Sequence, residues 1–164
     1  MNTGRARRET RGGVEHLVLT RTFDLPAAEL WRLLTDPDEL SRWFGTWRGD
    51  PASGEVEVRM VFEGDEAPWE AHAIDACEEP HHLGVRSLGE DPWILDLRLS
   101  ESAGVTTLDF AQRSTPGDMA DIAAGWDYYL DRLVAVAAGG EAAEVTWAPY
   151  EQLIEEYRTV LGAG

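Results

Sequence analysis

The chain has 164 residues, 43% of them hydrophobic and 27% charged, with a net charge of −17 carried by 31 acidic residues against 14 bases, all arginine. That acidity sets the chain against phosphate backbones and anionic lipid, and no apolar run reaches the ~18 residues of a membrane span. The single cysteine, Cys77, excludes an internal disulfide and stands in no metal-binding spacing, so a cytoplasmic location is the expectation. Seven tryptophans are many for this length. Indole rings bury much area each, so the core or a pocket should be rich in them.

Residues 1–13 hold four arginines and almost nothing apolar, which predicts a disordered basic tail. Residues 14–164 are expected to form one domain. His16 to Phe23 alternates and reads as a strand. A helix follows Pro26, with Leu30, Leu33 and Leu34 on its apolar stripe. Asp36-Pro37-Asp38-Glu39 has the form of a cap, a first-turn proline and an acidic third position, so it opens a second short helix ending near Trp43-Phe44-Gly45.

A long β region comes next. Val56, Val58, Met60 and Phe62 alternate with polar positions; Trp69 to Cys77 and Leu83 to Val85 are further strands. Leu95, Leu97 and Leu99 alternate with Asp96 and Arg98, and Thr106, Leu108, Phe110 and Gln112 with Thr107, Asp109 and Ala111. Period-two patterning on consecutive short strands predicts an antiparallel sheet of six or seven strands with one buried face. Asp96, Arg98 and Asp109 fall on the solvent side.

At Thr115 the period changes. Met119, Ile122, Trp126, Tyr129, Leu130, Leu133, Val134 and Ala137 form one face of a helix over about 116–138, capped by Thr115, with Asp121, Asp127, Asp131 and Arg132 opposite. Gly139-Gly140 stops it, and a tail helix runs from about Ala148 to Leu161 within residues 146–162. A sheet with one apolar face must be covered, and this helix is the element long enough to do it.

Four segments carry a resemblance: Phe23 to Trp31, Leu34 to Leu40, Arg42-Trp43-Phe44, and Gly125 to Leu133. In this order they resemble the START-like (SRPBCC) superfamily, and within it the family named for activators of the ninety-kilodalton heat-shock protein ATPase. The resemblance implies an α+β helix-grip fold: a curved antiparallel sheet around a long C-terminal helix, with two short helices after the first strand. It also implies a cavity between sheet and helix.

The residues expected to line that cavity are Trp43, Phe44, Met60, Phe62, Trp69, Leu95, Leu97, Phe110, Ile122, Trp126, Tyr129 and Leu130. Each also reads as plain core, and the Tyr129 hydroxyl as a polar anchor. Gly125, inside the helix at a cost of about 1 kcal/mol relative to alanine, is accounted for equally by a close approach of another element or by bare packing. His72 and Arg86 are the candidate acid–base groups, with their facing unsettled by strand parity. His81-His82 lies at a turn and is a poor metal pair. No phosphate loop or serine elbow occurs. No cofactor is expected.

Three functions follow. The first is binding of a small apolar or aromatic molecule, for carriage or sensing. The second is a cyclase- or hydrolase-type enzyme using the same cavity. The third is a protein-interaction or chaperone-linked role, including a homodimer.

Overall fold

The computed structural model describes residues 6–60, 67–90, 92–115 and 119–161. Eight strands form one antiparallel sheet, one or two more than the alternation predicts. They are β1 (Arg7–Arg11), β2 (Val14–Phe23), β3 (Gly45–Arg48), β4 (Glu55–Met60), β5 (Glu70–Glu78), β6 (His82–Ser87), β7 (Ile94–Ser102) and β8 (Val105–Arg113). Their order across the sheet is β1-β2-β8-β7-β6-β5-β4-β3. The helices are α1 (Ala27–Thr35), α2 (Pro37–Leu40), α3 (Ala120–Ala137) and α4 (Ala148–Leu161). Among the described residues no helix is long and apolar enough to cross a membrane.

Where the patterning was strong, the elements follow it. The Asp36 carboxylate accepts hydrogen bonds from the backbone N–H groups of Asp38 and Glu39, so α2 has the cap its sequence announces. The helix itself stops at Leu40, earlier than expected. At the start of α1 the cap comes from the sheet, because Glu101 of β7 accepts from the Ala27 N–H at 2.7 Å. Residues 116–118 lie outside the described residues, and α3 begins at Ala120 behind Met119 rather than at Thr115.

Of the tail expected over residues 1–13, residues 1–5 lie outside the described residues, and the remainder is not structureless. Arg7 to Arg11 pair with Val18 to Val14 as an edge strand. The reason is on the convex face, where Val18 and Ala111 are fully buried in otherwise polar surroundings. Arg7 lies beside Val18 in the register, and Arg11 reaches across to Asp109 with two bonds of 2.9 Å. The Ala6 N–H donates to the Tyr157 hydroxyl of α4 at 3.0 Å. Deleting residues 1–11 should therefore re-expose Val18 and break that tie. The expected loss is about 2–3 kcal/mol, a melting point lower by roughly 5–10 °C in a thermal melt. An unchanged melt would mean that the strand is not held.

The polar side expected on α3 is also corrected. Asp127 and Arg132 are buried. Arg21, on β2 and buried, donates to Asp127 at 2.7 Å and to Asp131 at 3.2 Å. Tyr157 of α4 donates to Asp127, and Tyr150 donates to Asp131 at 2.6 Å. Arg132 donates to the Trp43 carbonyl at 3.2 Å and to the Tyr128 hydroxyl at 2.7 Å. So α3 lies between two layers, the sheet on one side and α4 on the other. At Gly125 no other element approaches: a Cβ there would meet open space.

Candidate functional site

Register fixes which side chains share the concave face. Across β2, β8, β7 and β6 it runs through Leu19, Phe110, Leu97 and Leu83, and one step along through Leu17, Gln112, Leu95 and Val85. On β5, β4 and β3 it continues through Ile74, His72, Val56, Val58 and Trp47. Burial falls in the same direction. Leu17, Leu19, Phe110 and Gln112 are fully buried under α3, whereas Leu83, Val85, Leu95, Ile74, Val56, Val58 and Met60 are half-buried. The helix covers the β2–β8 side, and the rest of the concave face is a trough of half-buried apolar side chains with His72 among them.

Where the covered side meets the trough, aromatic rings gather around Trp126. The Phe110 ring lies 4.4 Å from it, between centroids. Phe44, from the segment after α2, stacks nearly parallel to it at 5.6 Å and meets the Tyr129 ring edge-on at 5.1 Å. Trp93, just before β7, lies 6.0 Å from Trp126 and is 45% exposed. Trp43 packs on Phe44 at 5.5 Å, its own N–H held by the Leu33 carbonyl at 2.8 Å. Offset and tilted ring pairs at these separations are favourable beyond their burial.

The Trp126 N–H donates to the Gln112 side-chain oxygen at 2.6 Å. An indole N–H can only donate, so this bond fixes which end of the amide faces it. The Gln112 nitrogen, with two N–H donors, then points away, and it is buried with no hydrogen-bond partner. A buried amide nitrogen left unpaired costs about 1–3 kcal/mol. Among the described residues, the groups stacked on or bonded to Trp126 (Phe44, Trp93, Phe110, Tyr129 and Gln112) are uncharged.

Of the twelve predicted lining residues, five touch one another here: Trp43, Phe44, Phe110, Trp126 and Tyr129. Leu97 and Leu130 are buried core. Leu95 and Met60 are half-buried on the trough, and Ile122 is half-buried on α3. Phe62 lies outside the described residues. Trp69 does not join the others. It precedes β5, and its ring takes the Arg48 guanidinium 4.1 Å above its centroid, on the opposite side of the sheet from Trp47. Two residues went unread. Trp93 has the parity of Leu95 and Leu97, which was the available signal. Gln112 stood in the inward row, but nothing in the sequence marks its bond to Trp126.

Of the two acid–base candidates, parity now separates the pair. His72 is on the concave side, half-buried, with Nδ1 3.0 Å from the Glu70 carbonyl. Arg86 is on the convex side and pairs with Asp75. Asp96, Arg98 and Asp109 are convex as well. His82 bonds to Asp96 at 2.5 Å there, and although burial raises the Asp96 carboxyl, the bonds from His82 and Arg98 hold it below its ordinary value. Among the described residues no three His, Cys, Asp or Glu side chains are grouped as metal ligands. A separate groove of about 310 Å³ runs between α1, α2 and the end of α3. None of the predicted residues lines it, and Glu39 on its rim pairs with Arg42 at 2.9 Å and with Arg32 at 3.7 Å.

Comparison with known proteins agrees with this architecture. The model of the family described as "Activator of Hsp90 ATPase homolog 1-like protein" matches residues 24–138. The crystal structure of CalU16 from Micromonospora echinospora is 23% identical, with a TM-score of 0.72 over 96% of this chain and 94% of that one. EF2215 from Enterococcus faecalis, a conserved protein of unknown function, is 22% identical with a TM-score of 0.70, over 96% and 92%. DynU16, a protein in the dynemicin biosynthetic locus, is 25% identical with a TM-score of 0.65; the match covers 77% of this chain and 49% of that one. The fold is the helix-grip fold of the START-like superfamily.

Proposed function

Because the chain belongs to the family of Activator of Hsp90 ATPase homolog 1-like proteins, we propose that it uses the concave side of its helix-grip fold to bind a small apolar, aromatic molecule, for carriage or sensing. The observation that carries this reading is the Trp126 cluster at the head of a trough of half-buried apolar side chains, with Trp93 beside it and 45% exposed. Water-facing indole beside half-covered Leu95 is surface that a flat apolar molecule would cover with gain. The place of DynU16 in a biosynthetic locus supports a small molecule over a protein as the occupant. The uncharged groups around Trp126 favour binding there, while His72, half-buried on the same concave face, is the titratable group that a catalytic use of the trough would draw on.

A thermal-shift panel of one- to three-ring aromatic compounds tests this. A compound at a hundred times its dissociation constant adds about 2.7 kcal/mol, which should raise the melting point by roughly 5–10 °C, with a change in tryptophan emission in step. Trp93→Ala and Phe44→Ala should weaken binding, whereas Arg32→Ala in the separate groove should not. A flat response across the panel, or binding indifferent to Trp93→Ala, would defeat the reading.

A further inference from the structure

The unpaired nitrogen of Gln112 says more about the occupant than its shape does. The Gln112 side chain is 0% exposed and lies on the concave face between Leu17 of β2 and Leu95 of β7. Its oxygen is taken by Trp126, so its orientation cannot invert without leaving the indole N–H unpaired. Its nitrogen offers two donors to an apolar surrounding and receives no acceptor. Leu95, its neighbour across the strand pair, is half-buried and opens on the trough.

We infer that Gln112 is the polar recognition point of the site, and that the ligand is an aromatic compound carrying a neutral acceptor oxygen, a ring-conjugated carbonyl, seated against Trp126 with that oxygen on the Gln112 Nε2. This rests on the ligand-binding reading above and narrows it. A neutral acceptor is required because an amide N–H brings no charge, and a buried carboxylate without a cation costs far more than one hydrogen bond returns. The buried cation on the same face, Arg21, is already engaged by Asp127 and Asp131. A ring suits the site because the open surface beside Trp126 is the Trp93 indole, 6.0 Å from it, in a residue that is 45% exposed.

The test uses two compounds of one shape, 2-acetylnaphthalene and 2-isopropenylnaphthalene, which differ by C=O against C=CH2. In wild-type protein the ketone should bind about threefold to tenfold more tightly, after correction for its greater water solubility. In Gln112→Met, which keeps the length and removes both polar atoms, the preference should vanish. Wild-type protein gives a second readout that needs no variant. The sequence has two glutamines, Gln112 and Gln152, so 15N-glutamine labelling yields two side-chain amide pairs. The Gln112 pair should shift downfield in proton with the ketone and not with the alkene. Equal binding of both compounds, with no Gln112 shift, would overturn the assignment and leave a bare apolar site, or one whose amide is served by a single water. Binding of neither would overturn the ligand-binding reading and this assignment together.

Discussion

An Arg21→Met variant should lose about 3–5 kcal/mol of stability, the usual cost of leaving a buried charge without its partner. The melting point should drop by roughly 6–20 °C. Arg21 is the cation between two carboxylates of α3, and both carboxylates also take a tyrosine hydroxyl from α4. One side chain thus holds sheet, long helix and tail helix in register. The loss should depend on pH. Burial pushes the Asp127 carboxyl above its ordinary value, against the bonds from Tyr157 and Arg21 that lower it. A carboxyl raised in the folded state gives stability that is complete below the unfolded value of about 3.9 and is lost as pH rises through the folded one. Removing Arg21 raises it further. The variant's melting point should therefore recover on going from about pH 7 to pH 5, by more than the wild type changes. Arg21→Met with Asp127→Asn keeps an acceptor for Tyr157 and removes the orphaned charge, so it should regain most of the loss. A single variant that melts like wild type would show that the network is not stabilising.

That network marks the limit of what the sequence discloses. Alternation located β2, β4, β7 and β8, because one face of each packs on the core while the other meets water. It missed β1, since an edge strand spelled Arg-Arg-Glu-Thr-Arg has no apolar face of its own; the burial it provides is of Val18, on the neighbouring strand. It placed Asp127 and Arg132 in solvent because a helical pattern counts one apolar stripe and cannot see a second layer. Tyr150 and Tyr157, two turns apart on α4, were the trace of that layer. At the site, period two and period 3.6 sent Phe110 and Trp126 inward, and they do meet. Trp69 failed because the weak pattern of β5 hid its phase: with His72 and Ile74 concave, Trp69 has the parity of Ala71 and Ala73 on the convex side, where Arg48 and Arg59 lie near its ring. The Gln112–Trp126 bond joins β8 to α3 across a spacing of 14 residues, and no local pattern encodes it.

Trp126→Ala should be more costly still than the loss of Arg21, and it can be repaired from outside. Truncating a buried tryptophan costs about 3–5 kcal/mol, and here it also strips the Gln112 oxygen of its donor, about 1–3 kcal/mol more. The rings of Phe44, Phe110, Trp93 and Tyr129 would then surround a space the size of the missing indole. Trp126→Phe keeps a ring in that space and loses only the N–H, so it should fall between the wild type and the alanine variant. Added indole should fill the space in Trp126→Ala, as small aromatics enter engineered apolar cavities. At ten times its dissociation constant it adds about 1.4 kcal/mol, a rise of roughly 3–6 °C. Benzofuran has the same outline with an oxygen in place of the N–H and cannot donate to Gln112. It should bind about threefold to tenfold more weakly than indole. Equal rescue by the two would mean that the Gln112 oxygen does not hold the Trp126 ring, and the orientation assigned to the amide would go with it. No rescue by either, in a variant that still folds, would mean that the neighbouring rings collapse into the vacancy, so that the cluster is mobile enough to close over a site it was thought to hold open.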